Sequence, residues 1–378
     1  MRNFAVWILL FASSLNAVNT YDLQVAMQPK KQNAPIKESP KLNPSELRGE
    51  LTAILTNNYS EPNIVVDVDA TGLVTLFNMP SSSRLRESIF TYIKNYPKVS
   101  AVQIVDSKGY QPVVPIKWLG FPKTLLFYPL IANPLEVETS LAAFLANAKI
   151  SVNSKNSLQT VFSVGCYIPI IRWFNRYNQK KTMQLNFEGA NLSVLEIYPT
   201  TNLFEMSYRV GLNYTISTEI LSYRISLYHI CSHLGDKIAL KLSKEGTFPR
   251  SKFVDIYPLE FVVSAQSTKD FRLYFGGGMG TYRQNATYFL YGTEFYFYEF
   301  KPKQSKLFYQ PFFALDFQNW ERFNYDMSLT AKLGISWGQL PMASKQGKFA
   351  LTYHDGLGFG PYLFDRQKYV TAGIEYGF

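Results

Sequence analysis

The chain has 378 residues, enough for two or three domains and a sizeable core. Phe (29) and Tyr (26) are abundant while charged residues make up only 17%, which argues against charged surface helices and for many short amphipathic strands. The net charge of +10 suits anionic headgroups, outer-membrane lipids and lipopolysaccharide; the export signal described next argues against nucleic acid, the other partner of basic chains.

Residues 1–20 are expected to be a signal peptide: Arg2 gives the basic start, Phe4 to Phe11 an apolar run too short to span a bilayer, and small residues follow. No later segment reaches the continuous apolar length of a membrane helix. Residues 21–43, rich in Lys, Pro, Gln and Asn, read as a flexible basic linker. Cys166 and Cys231 fall in separate strand patterns and are expected to stay unpaired.

Residues 44–108 show a different pattern. Ser45 is placed to cap a helix running to about Asn57, with Leu47, Leu51, Ile54 and Leu55 on one side. Strands over 63–69 and 73–78 flank the turn signal Ala70-Thr71-Gly72. Ser81 or Ser82 caps a second helix to about Asn95 that buries Leu85, Ile89, Tyr92 and Ile93, and a last strand covers 99–105. This order, with the string IVVDVDATGLVTLFNMP, a helix and then VSAVQIVD, resembles a BON domain. That resemblance implies a small periplasmic α+β module that binds phospholipid surfaces.

Residues 109–136 are Pro-rich and aromatic and read as a connector. From 137 to 378 the pattern becomes repeated alternation. From Phe204 to Ile216, for instance, every second residue is apolar, and Glu205, Arg209 and Asn213 lie on the other parity. About twelve such segments start near 138, 158, 182, 203, 219, 252, 269, 286, 306, 322, 348 and 367. Long strands with one continuously apolar face predict an all-β transmembrane barrel of about 12 antiparallel strands, preceded by the small αββαβ module. Val370, Ala372, Ile374, Tyr376 and Phe378 share one face of the last strand, which resembles the assembly signal of outer-membrane proteins and implies contact with the barrel-assembly machinery through Phe378. An even strand count leaves both barrel termini, and the module, in the periplasm.

The polar face carries Glu188, Glu205, Arg209, Arg224, Glu260, Arg272, Glu294, Asp316, Asp326, Lys332, His354 and Glu375. Both signs are present, so the lumen is expected to hold ion pairs in a bore that side chains nearly fill, leaving at most a narrow channel. Gly276-Gly277-Gly278-Met279-Gly280 lies inside a strand pattern and is no phosphate loop; these glycines are expected to let aromatics or backbone approach closely. No cofactor is expected.

One stretch carries candidate chemistry. From Leu221 to Leu227 the odd positions are apolar, and the same face continues with His229, Cys231 and His233. Strand parity puts His229 and Cys231 on the lipid side near the outer leaflet. Residues two apart on a strand stand side by side, so His229 is a candidate base and Cys231 the candidate nucleophile, with Ser232, which points to the opposite face, as the alternative nucleophile. Asp255, the lone charge in the stripe Phe253, Asp255, Tyr257, Leu259, Phe261, is the candidate orienting acid, with Asp236 as the alternative. The arrangement resembles the His-x-Ser pairs of outer-membrane phospholipase A and the lipid A deacylase, with Cys where those enzymes have Ser, and so implies a surface lipid hydrolase as an alternative to a structural or envelope-associated role. The bland reading makes these interfacial residues without chemistry. A metal held by His229, Cys231 and His233 lacks a fourth ligand, so no metal site is expected. The stretches FYPLIANPLE, LYHICSHLGD and LTYHDGLGFGPYLFDRQKYVTAGIEYGF also resemble a family of uncharacterised outer-membrane barrels, domain of unknown function 1207, in which Ser usually stands at the position of Cys231. That resemblance implies a barrel and brings no activity.

Overall fold

The computed structural model describes residues 42–80, 82–105, 116–146, 157–174, 181–198, 201–244, 254–266, 270–280, 287–302, 305–321, 324–339, 346–357 and 366–377. The expected signal peptide, nearly all of the basic linker and Phe378 lie outside these residues. The module has the expected order: α1 (Pro44–Asn57), β1 (Val65–Val68), β2 (Leu73–Phe77), α2 (Ser83–Lys94) and β3 (Ala101–Val105). β1 and β2 are antiparallel, β2 and β3 parallel. The β1–β2 turn closes on Asp69, whose carboxylate accepts from Thr71 N and Leu73 N at 2.8 and 3.0 Å. The Thr71 hydroxyl, donating to the same carboxylate at 2.7 Å, does most to favour the charged form and lower its pKa, and the two backbone bonds add to it. Gly72, at φ 84°, supplies the left-handed residue the turn needs.

The first helix starts earlier than expected. Asn43, not Ser45, is its cap: the Asn43 amide oxygen accepts from Ser45 N and Glu46 N, and Pro44 takes the first helical position, where no N–H is required. Ser82 caps α2, as expected. α1 buries Leu47, Leu51 and Leu55, and α2 buries Leu85, Ile89 and Ile93. α2 also buries Arg84 and Ser88, a second face that its apolar spacing did not announce.

After β4 (Trp118–Gly120) the barrel strands are β5 (Thr139–Ala146), β6 (Ser157–Phe174), β7 (Thr182–Tyr198), β8 (Asn202–Ser217), β9 (Leu221–Leu234), β10 (Val254–Ile256), β11 (Pro258–Ala265), β12 (Phe271–Gly280), β13 (Tyr288–Tyr296), β14 (Phe308–Trp320), β15 (Met327–Gly338), β16 (Gln346–Leu357) and β17 (Arg366–Gly377). β10 and β11 both pair with β9 and make one interrupted strand, so the wall has twelve. Every neighbouring pair is antiparallel, and β17 pairs with β5. That last pairing closes the wall on itself, the condition for strands to cross lipid; among the described strands of that sheet only the short β4 and β10 pair on one side. Leu212, Leu227, Phe275, Leu333, Leu351 and Val370 are among the large apolar side chains exposed on the outer face, while the intervening positions are buried. The chain is a transmembrane β-barrel. Among the described residues no helix is long and apolar enough to cross a membrane. Helix α3 (Asp236–Lys244) follows β9 at the rim opposite the barrel's termini.

The glycines of β12 act as spacers. A Cβ at Gly278 would lie 2.6 Å from the Tyr288 ring, which occupies the space inside that position.

Candidate functional site

Two places concentrate polar chemistry: the barrel interior and the outward face of β9. In the interior, the segment from Lys123 to Val137, which reads as a connector, threads the lumen. Four buried arginines from four strands grip it. Arg172 of β6 donates to Thr124 O at 2.7 Å, and Arg272 of β12 donates to Tyr128 O and Pro129 O at 2.9 and 3.2 Å. Arg209 of β8 donates to Leu135 O at 2.8 Å, and Arg224 of β9 pairs with the Glu136 carboxylate at 2.8 Å. Carboxylates and amides of the wall hold it from the other side. Ile131 N donates to Glu294 at 2.7 Å, and the Gln318 amide donates to Asn133 Oδ1 at 3.1 Å. Apolar contacts complete the fill: Phe127 and Leu130 pack with Tyr274, Tyr288 and Trp320, and Ile131 and Ala132 pack with Tyr296 and Phe312.

The lumen charges named in the sequence are ion-paired or hydrogen-bonded, as burial requires, with one exception. Arg209 meets Glu188 at 2.7 Å, Arg224 also meets Glu260 at 3.1 Å, Arg272 meets Glu294 at 3.2 Å, and Lys332 meets Glu375 at 2.7 Å. Asp316 accepts from Tyr274 at 2.7 Å and from Gln318 at 2.9 Å, and Glu205 from Ser207 at 3.5 Å. His354 Nδ1 lies 2.9 Å from Thr330 Oγ1 and its ring stacks on Tyr369. Asp326 is the exception to the expected lumen set. It is exposed, because Asn324 and Tyr325 take positive φ (54° and 61°) in a turn and β15 begins only at Met327. The segment expected to start near 322 therefore enters its strand later, after that turn.

The module is seated on the mouth of the barrel. Glu61 pairs with Arg172 at 2.9 Å, Ser83 Oγ donates to Gln266 O at 2.6 Å, and Arg84 donates to Tyr296 Oη at 2.6 Å while lying over the Tyr128 and Tyr296 rings. This explains the second buried face of α2. Burial pushes the Glu61 carboxyl up to about 7, against the opposing pull of Arg172.

On the outward face of β9 the odd-numbered residues meet lipid as expected: Ile225 is 41% and Leu227 60% exposed. His229 lies flat on Tyr257, with ring centroids 4.4 Å apart and planes 10° from parallel. Cys231 Sγ lies 3.1 Å from His233 Nε2, and the His233 ring sits edge-on to Tyr208. Asp255 is directly across from Cys231 in the β9–β10 ladder; its side chain lies outside the described residues. Ser232 is fully buried on the lumen side, 2.7 Å from Ser207 Oγ. Asp236 opens α3 and is exposed. The described contacts thus bring the thiol to His233 and His229 to Tyr257. Neither cysteine forms a disulfide. Among the described residues no three His, Cys, Asp or Glu side chains converge as metal ligands.

Residues 111–378 match the family model described as Protein of unknown function (DUF1207). The chain belongs to the DUF1207 family. No curated protein matches the sequence. Solved structures similar to this DUF1207 protein include LpxR from Salmonella typhimurium, at 13% identity and a TM-score of 0.30, covering 64% of this chain and 100% of that one. The outer membrane phospholipase A from Escherichia coli is similar at 10% identity and a TM-score of 0.39, covering 64% and 92%. The NanC porin is similar at 10% identity and a TM-score of 0.35, covering 64% and 98%.

Sequence reasoning missed the plug, together with Glu61, Glu136 and Arg172, and it missed Tyr257 as the partner of His229. One signal for the plug was available. FYPLIANPLE is too apolar for a solvated connector and holds a single carboxylate, a composition that suits a buried strand of chain facing cations.

Proposed function

We propose that this DUF1207 protein is a bacterial outer-membrane barrel sealed by its own chain, which carries its αββαβ module at the periplasmic mouth in a structural, envelope-associated role. The observation that carries this reading is the lumen. Residues 124–136 are bound by Arg172, Arg209, Arg224 and Arg272, and no open bore is needed to account for any of those side chains. The BON-like string of β1 and β2 supports a phospholipid surface as the module's partner. A narrow channel would require the plug to leave. Planar-bilayer recording of the full-length protein tests the seal: the expected trace is silent, and steady conductance at rest would remove the reading. Tethering of added anionic vesicles to proteoliposomes, compared between the full chain and one lacking residues 43–105, tests the module; equal tethering would defeat its role.

A second reading, a surface lipid hydrolase, is favoured by the 3.1 Å contact of Cys231 with His233 on the lipid-facing side. His233 would take the thiol proton as Sγ attacks an ester carbonyl, then return it to the departing alcohol. Water would then hydrolyse the thioester. Fatty-acid release by purified protein, compared with His233→Ala and His229→Ala, tests it. Equal release by all three sinks the idea.

A further inference from the structure

The outward faces of β9 and of the β10–β11 strand form a ladder rising toward the rim that carries α3. Ile225 stands across from Phe261 and Leu227 across from Leu259. The next rung is the His229–Tyr257 stack, and the next is Cys231 across from Asp255. Two apolar rungs are therefore followed by two that can hydrogen-bond.

Beside the apolar rungs the wall is bare. Gly277 stands across from Phe261 on one side and Phe289 on the other, at an outward position of β12. A side chain cannot be added there at low cost, since a Cβ would fall 2.6 Å from the Tyr288 carbonyl oxygen. The gap is a groove of about 360 Å³ whose outward lining includes Ile225, Leu259, Phe261, Met279 and Phe289.

We propose that this groove seats one acyl chain of a net-anionic phosphorylated lipid, with the headgroup end at the His229–Tyr257 rung. The groove opens on the belt that faces hydrocarbon, so an acyl chain is the solvent it meets. Charge selects the headgroup. α3 starts two residues beyond the end of β9, at the same rim, and carries Lys237, Lys241 and Lys244, in a chain of net charge +10. Seating stands whether or not the thiol reacts, because it needs only the groove and the rim cations.

The test uses the full-length protein in phosphatidylethanolamine vesicles containing a minor fraction of lipid A with a photoreactive diazirine in one acyl chain. Cross-links are mapped by mass spectrometry. They should concentrate on Leu259, Phe261 and Met279, and in Met279→Trp they should fall about tenfold. Leu351→Trp, on another part of the belt, should leave them unchanged. Ile225→Trp fills the groove from the other wall should Met279→Trp fail to show folded, heat-modifiable mobility. Cross-links spread evenly over the belt to Leu351 and Val370, or unchanged in both groove variants, overturn the site. Equal labelling when phosphatidylethanolamine carries the diazirine in place of lipid A overturns the choice of lipid.

Discussion

Replacing Arg224 by Met should unseat the plug. Arg224 is 3% exposed and bridges two carboxylates, Glu136 of the plug at 2.8 Å and Glu260 of the wall at 3.1 Å, with the Phe127 ring 4.8 Å from its guanidinium. Met keeps much of the volume and removes the charge, leaving two anions with little solvent. Breaking a buried pair from one side costs about 3–5 kcal/mol, several times the roughly 1 kcal/mol of an ordinary hydrogen bond. At 1.4 kcal/mol per decade, the unplugged population should rise by roughly two to four decades. The assay is single-channel recording with limited proteolysis: Arg224→Met should show brief openings and cleavage within residues 124–136, and the unaltered protein neither. Adding Glu136→Gln and Glu260→Gln to Arg224→Met removes the stranded charges and should restore silence. Arg224→Met as quiet and protease-resistant as the parent would refute the reasoning, as would openings that persist in the triple variant.

Three further outcomes follow from single contacts. Because burial raises the Glu61 carboxyl from 4.5 to about 7, the seated module holds that proton more tightly than the free one. Its contribution is therefore fullest below pH 4.5 and is lost as pH rises through 7, by up to about 3 kcal/mol. Seating followed by protease release of the module should weaken between pH 5 and 8, and Glu61→Gln should flatten the profile; an unchanged slope in that variant would count against the assignment. Gly278→Ala should lower the temperature of heat-modified mobility by the equivalent of about 1–3 kcal/mol, since its Cβ meets the Tyr288 ring at 2.6 Å. A parent-like transition would contradict that packing. Leu333, 54% exposed on the lipid side, should not tolerate charge: Leu333→Arg is expected to cost about 2–4 kcal/mol in vesicle-refolding titrations. The adjacent Lys332 is tolerated because it faces inward, onto Glu375 at 2.7 Å.

The sequence by itself determined the wall of this protein. A strand buried on one face and lipid-exposed on the other must alternate with a period of two, so every barrel strand could be found and its lumen parity assigned, from Arg209 and Glu260 to Lys332. It also determined the module's αββαβ order, through apolar spacing and Ser82, and the outward face of His229 and Cys231. What it left open were contacts between segments far apart in the chain. Nothing local to Glu136 says that its charge meets Arg224, and nothing local to Glu61 names Arg172, because such pairing is set by how far the chain folds back into the lumen. At the rim, alternation fixes which residues share a face, but His229 and His233 both neighbour Cys231 along the strand. The described contacts bring the thiol to His233 and lay His229 on Tyr257, and those contacts depend on side-chain torsions and on the register of β10 and β11 against β9, which only the tertiary structure decides.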